Sequence, residues 1–192
     1  IDAAVYHGAL GNYAVSTNAG GTVTVADGMA VDGTDSLTGF SALAFTDTTL
    51  TLQGSAGAQT LTGGTGADTI SLGAGFKGVN LGDGNDVLKI AAPTLGSMSL
   101  VAGGAGNDTL ILQIGSSTLA ADSALAGVSG FETLALQGSA AATTLTLGTT
   151  AQSVGLQVVD ASLLSGSITA TVASGLSGSL TVKGGAGNDT YV

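Results

Sequence analysis

The chain has 192 residues, 44% hydrophobic but only 4% aromatic and 8% charged, enough for one ordinary domain or two small ones. Three lysines and no arginine stand against twelve aspartates and one glutamate, a net charge of −10 that excludes the cationic surface nucleic-acid phosphates need and favours metal cations instead. No apolar run reaches the roughly eighteen residues of a spanning helix, so no membrane insertion is expected, and without cysteine a secreted form needs a staple other than a disulfide, bound calcium being a common one.

In chain order, "NYAVSTNAGGTVTVAD" (12–27) alternates apolar and polar residues on either side of Asn18-Ala19-Gly20-Gly21, which predicts a β-hairpin. "VDGTDSLTGFSALAFTD" (31–47) continues as short strands. From Gly54 four consecutive nonamers follow: GSAGAQTLT, GGTGADTIS, LGAGFKGVN and LGDGNDVLK. Their sixth places read Gln59, Asp68, Lys77, Asp86, and their eighth places Leu61, Ile70, Val79, Leu88. An aliphatic residue thus returns with each nonamer, and an aspartate with every second one. "AAPTLGSMS" (91–99), with the only proline, reads as a small outward loop before a further copy, GGAGNDTLI (103–111). A short helix or loop is expected over 117–130, with Ser116 or Ser117 as its cap. "GFETLAL" (130–136) echoes "GFSALAF" (39–45), Glu132 filling the place of Ser41. The stretch 158–189 is rich in small alternating residues and leads into a last copy, GGAGNDTYV (184–192).

These nonamers resemble the RTX, or haemolysin-type, calcium-binding repeat GGxGxDxUx, where U is a large apolar residue. The resemblance implies an all-β fold: a right-handed parallel β-helix, or β-roll, with calcium-binding glycine-rich turns, plus the N-terminal β-hairpin. Two nonamers make one coil, and turns n and n+2 share a Ca²⁺. The implied metal-binding residues are Gly63, Gly64, Thr65, Gly66 and Asp68; Gly82, Asp83, Gly84 and Asp86; Gly104, Gly106 and Asp108; and Gly185, Gly187 and Asp189. Elementary chemistry agrees, since glycine lets carbonyls crowd one point and a short carboxylate completes a hard oxygen cage. Asp68 and Asp86 should then stack on one edge, Asp108 should continue the row, and Gln59 and Lys77 should stand on the opposite, ion-free edge. Three segments follow: 1–50 as strand and hairpin, 51–115 as β-roll, and 116–192 as a second solenoid segment.

The stretch from Tyr13 to Phe45 is similar to a segment found beside RTX repeats in secreted bacterial proteins, with Ser41 where that family usually has glutamate. There Asp32 and Asp35 are either further ligands or plain turn residues. The layout of 158–189 is similar to bacterial surface-layer proteins and large RTX adhesins. His7, the only histidine, cannot build a hydrolytic triad or a zinc centre alone, and no phosphate loop is present, so no enzyme is expected. The expected function is a structural extracellular module of a bacterial surface layer or filament, exported by type I secretion and folded by Ca²⁺. Its expected partners are copies of itself or adjacent tandem units, because GGAGNDTYV would run on naturally into Ile1-Asp2-Ala3-Ala4; cell-surface polysaccharide is a further candidate. The alternatives are an accessory RTX domain of a secreted enzyme or toxin, and an adhesin segment that binds a ligand.

Overall fold

The computed structural model describes residues 2–18, 20–53, 59–115, 122–139, 142–175 and 177–192. The N-terminal third is largely antiparallel. Strand β1 (Ala3–Val5) is followed by β2 (Tyr13–Thr17), β3 (Val23–Asp27) and β4 (Thr34–Leu37), which form a meander. Asn18 sets the β2–β3 turn by accepting the Gly20 and Thr22 amides on its side-chain oxygen. Strands β5 (Ala42–Ala44), β6 (Thr49–Gln53) and β7 (Thr60–Thr62) form a second antiparallel set, with β1 lying parallel to β5.

From there the chain commutes between sheets. β8 (Thr69–Leu72), β10 (Val87–Ala91), β12 (Thr109–Ile114), β14 (Thr133–Gly138), β16 (Val158–Leu164) and β18 (Thr181–Lys183) pair in parallel in that order. The strands between them, β9 (Gly78–Asp83), β11 (Leu100–Ala105) and β13 (Val128–Ser129), extend the sheet of β7, also in parallel. β15 (Ala142–Leu147), β17 (Ser167–Val172) and β19 (Thr190–Tyr191) form a third, smaller parallel sheet. The fold is all-β, but its sheets are mixed rather than uniformly parallel. The antiparallel meander joins the parallel ladder through β2, which pairs with β8 and covers what would be an open edge.

Period-two alternation builds the core. Ile70, Leu88, Leu110, Leu134 and Val159 stand in register as one buried column, and Leu72, Ile90, Leu112 and Leu136 as a second. Leu61, Val79, Val101 and Val128 form the facing column. The eighth-place residues are therefore inward, as the repeat predicts, and each buried aliphatic side chain contributes about 1.5–3 kcal/mol. Tyr191, at the eighth place of the last nonamer, is the exception at 53% exposed. Tyr6, Tyr13 and Phe45 close the N-terminal end as a cluster with centroids 5.0–5.2 Å apart.

The insertion around Pro93 is more than an outward loop. It forms a single helical turn, α1 (Ala92–Leu95), with the proline in its first turn and Leu95 buried. Of the segment expected to be a helix or loop, Asp122–Leu125 is a 3-10 turn, while the Ser116 and Ser117 caps lie outside the described residues. Asp122 has a role that no spacing rule pointed to. Its carboxylate accepts the amides of Gly148, Thr150 and Ala151 at 2.7, 2.8 and 2.8 Å, capping α2 (Thr149–Val154) from a distant segment. Asp122→Ala should therefore lower stability by about 1–3 kcal/mol, read as a depressed melting temperature, with Asp122→Asn losing less. An unchanged melt for the alanine variant would show that this cap carries no weight.

Candidate metal centre

Parallel register places the aspartates. Thr69 pairs with Val87 and Val87 with Thr109, so the residues just before them, Asp68, Asp86 and Asp108, stack on one edge. All three are buried, at 4%, 0% and 1% exposure. A repeating hydrogen bond fixes each rung. The amide of Asp68 donates to Asp86 Oδ1 at 2.8 Å, and the amide of Asp86 to Asp108 Oδ1 at 2.8 Å. Next to them Asn85 Oδ1 accepts the Asn107 amide at 2.8 Å, a clamp running in the other direction. The second oxygens differ in their surroundings. Asp68 Oδ2 accepts the Gly64 amide of its own loop at 3.1 Å, whereas Asp86 Oδ2 and Asp108 Oδ2 are buried with no hydrogen-bond partner.

Glycine is required where the loops stack. A Cβ on Gly82 would overlap the Gly64 carbonyl oxygen, and one on Gly104 would overlap that of Gly82; Gly84 and Gly106 stand in the same relation to Gly66 and Gly84. These four also hold φ between +103° and +150°. The loops therefore approach through bare backbone, presenting carbonyl oxygens to the next coil. Thr65 and Asp83 are at the exposed rim of this edge. The opposite edge carries Gln59, Lys77 and Ser99 in register, without a carboxylate. There Gln59 accepts from the Thr17 hydroxyl at 2.6 Å, and Lys77 Nζ donates to the Ser97 carbonyl at 3.3 Å.

Neighbouring strands lie about 4.8 Å apart. Two carboxylates at that spacing repel by about 3 kcal/mol at an effective dielectric constant of about 20. Among the described residues the only ion pairs are His7–Asp32 and Lys183–Asp160, so no protein cation serves this row. Burial raises the Asp86 and Asp108 carboxyls above the ordinary carboxylate value, and the neighbouring carboxylates add to it: Asp108, Asp68 and Asp83 for Asp86, and Glu132 for Asp108. The described residues contain no cluster of three or more His, Cys, Asp or Glu, so a bound ion would rest on paired carboxylates plus carbonyl oxygens. That donor set suits calcium and is wrong for zinc. The orphaned, buried Oδ2 atoms and the carbonyl-lined glycine cradle thus fit the ion that the repeats imply.

The other candidates are placed differently. Asp189 enters β19 rather than the ladder of β8 to β18, and its register neighbour is Ile168, not the Thr171 that an eighteen-residue step would give. It accepts the Ile168 amide on Oδ1 at 2.9 Å, and Gly185 and Gly187 pack against the turn at Gly166 and Ser167. Asp32 is already engaged: it accepts from Tyr13 Oη at 2.5 Å and the His7 amide at 2.9 Å, and meets His7 Nδ1 at 3.0 Å. The Tyr13 bond leads the causes that bring its carboxyl down to about 2. Sequence reasoning did not place Glu132 in the aspartate row. Thr109 pairs with Thr133, and the Asp108 amide donates to Glu132 Oε2 at 2.8 Å, repeating the bond of the lower rungs.

The pH dependence of the calcium-free protein follows from these directions. A raised folded-state pKa at Asp86 and Asp108 gives stability that is complete below the ordinary carboxylate value near 3.8 and is lost as pH rises through the folded value. Asp27, Asp32, Asp122 and Asp160 are lowered, so their contribution holds above that value and is lost as pH falls through theirs. Calcium-stripped protein should accordingly melt higher near pH 4 than at pH 7, and lower again toward pH 2. Thermal melts across this range check the shape; a monotonic rise toward pH 7 would contradict it.

The family model for the RTX calcium-binding nonapeptide repeat matches residues 51–76, 100–119 and 170–192, in 4 copies. No curated protein and no solved structure matches the chain. The repeat is a calcium-binding element and not a catalytic one. With Asp68, Asp86 and Asp108 in one buried row and its glycines in close-stacked loops, the chain carries calcium-binding nonapeptide repeats of the RTX type, and repeats of this type bind Ca²⁺.

Proposed function

We propose that this is a structural, extracellular module: a right-handed β-roll solenoid that folds around Ca²⁺ and self-associates as part of a bacterial surface layer or surface filament. The observation that carries this reading is the row of buried carboxylates with two unpartnered oxygens, Asp86 Oδ2 and Asp108 Oδ2. Such a row is unfavourable without a counterion and stabilising with one. It acts as a folding switch between low calcium inside a cell and roughly millimolar calcium outside. Type I export of a loose chain that folds after release fits that switch. No helix among the described residues is long and apolar enough to cross a membrane.

Self-association has a physical basis in unpaired strand edges. β18 and β19 each pair on one side only, and beside them Tyr191 and Val192 are 53% and 73% exposed. β1 and β4 are edge strands at the other end, with Val5 71% exposed. A second copy stacking there would continue the sheets. Calcium titration tests both halves. Addition of the ion should raise the β-sheet circular-dichroism signal and the melting temperature, chelator should reverse both, and electron microscopy in calcium should show sheets or fibres. Equal melting with and without calcium would refute the switch, and a strictly monomeric protein at high concentration in calcium would refute the assembly.

A further inference from the structure

We propose a calcium site outside the nonapeptide consensus, between the Asp108 rung and Glu132. This inference rests on the reading that the aspartate row holds calcium. Glu132 belongs to "GFETLAL", a stretch without the glycine pattern and outside the residues matched as repeats. Register nonetheless puts it directly over Asp108, and its Oε2 takes the Asp108 amide at 2.8 Å, as Asp108 takes that of Asp86 and Asp86 that of Asp68. The backbone repeats the metal-edge arrangement as well. A Cβ on Gly103 would overlap the Gly130 carbonyl oxygen and stand 2.8 Å from Asp108 Oδ2, so carbonyl and carboxylate oxygens converge over a bare Cα. Gly130 itself, at φ +64°, would carry a Cβ 3.0 Å from the Gly104 carbonyl oxygen.

A second observation separates this site from a mere meeting of acids. Asp108 is 1% exposed and its Oδ2 has no hydrogen-bond partner, so a buried anionic oxygen faces this space. Above Glu132 the row turns neutral: Thr133 pairs with Val158, which puts Gln157 next, and Val158 with Thr181, which puts Leu180 after it. Glu132 is therefore the last anionic rung, and its longer side chain reaches the position that a shorter aspartate holds in the repeats. The site would take a hard divalent cation, calcium before magnesium, because carbonyl oxygens and carboxylates are the donors calcium accepts in flexible geometry, whereas magnesium demands a near-ideal octahedron and retains its waters.

Calcium binding to the whole chain, measured by calorimetry and native mass spectrometry, tests this. Glu132→Gln keeps an acceptor for the Asp108 amide but removes the charge. It should weaken one bound calcium by about tenfold or more, and Glu132→Ala should remove one equivalent. Asp68→Asn should affect a different equivalent and leave the Glu132 one in place. Crystals of the unmodified chain grown in calcium should show an anomalous peak between Asp108 and Glu132. Unchanged stoichiometry and affinity in both Glu132 variants, or anomalous peaks beside Asp68 and Asp86 with none at Glu132, would overturn the inference and leave the repeat sites standing. An unmodified chain that binds no calcium would overturn both.

Discussion

The structure turns on one hydrogen bond made by the wrong kind of acceptor. In a parallel ladder an amide ordinarily donates to a carbonyl of the neighbouring strand. At the entrances of β8, β10 and β12, the amides of Asp68, Asp86 and Asp108 instead donate to the carboxylate of the next coil. That bond draws an anion into a nearly dry position, and its second oxygen is left without a protein partner at Asp86 and Asp108. A charged acceptor makes a stronger bond than a carbonyl, but the charge must be neutralised. A proton can do so at low pH and calcium at neutral pH, so coil register and ion occupancy become a single equilibrium.

The rest of the chain is consistent with a fold that leans on that equilibrium. Each coil contributes only a few inward residues, such as Leu88 and Ile90, and touches mainly its neighbours. With little aromatic mass and no disulfide, stacking one coil on the next yields modest burial against the entropy of ordering a glycine-rich loop. An ion bound between loops acts where that entropy cost is highest. The N-terminal antiparallel strands solve a different problem. β2 and β7 meet the first coils on their open side, and the Tyr6, Tyr13 and Phe45 cluster supplies aromatic bulk there. Burial and the nearby carboxylates push both tyrosine hydroxyls up to about 12, so both stay protonated beside the ionised Asp32 across the physiological range.

What the sequence revealed was whatever repeats with a period. The eighteen-residue step from Asp68 to Asp86 predicts their stacking, and the inward aliphatic residue of each nonamer is readable because strand alternation and the nonamer agree. Two kinds of feature were hidden. One is the long-range cap: the bonds from Asp122 to residues 148–151 span 26 to 29 residues and leave no local pattern. The other is the place of a residue after an irregular connection. Asp189 carries a good consensus, yet it enters the smaller sheet of β15, β17 and β19, because counting back by eighteen fails once the coils lose their fixed length. Glu132 was hidden for the same reason, lying 24 residues beyond Asp108.

Where that extra length sits shows which edge is constrained. On the carboxylate edge the first turn, from β7 to β8, comprises residues 63–68, and those from β9 to β10, from β11 to β12 and from β13 to β14 comprise residues 84–86, 106–108 and 130–132, three residues each time. On the opposite edge the connections grow from 73–77, between β8 and β9, to 92–99, between β10 and β11, and to 115–127, between β12 and β13. Loop closure alone would tolerate insertions on either side, since doubling a loop costs only about 0.6 kcal/mol. A shared geometric demand on one edge explains the difference: from β9 onward three residues carry the chain from one sheet to the other while delivering a carboxylate to the row, and an added residue would lift that carboxylate out of register. The turn at 130–132 obeys the same length although it lacks the nonapeptide consensus, and it ends on Glu132. The constraint therefore follows the position of the carboxylate and not the glycine pattern. In this chain the row of acids, more than the repeat motif, defines where the carboxylate edge begins and ends.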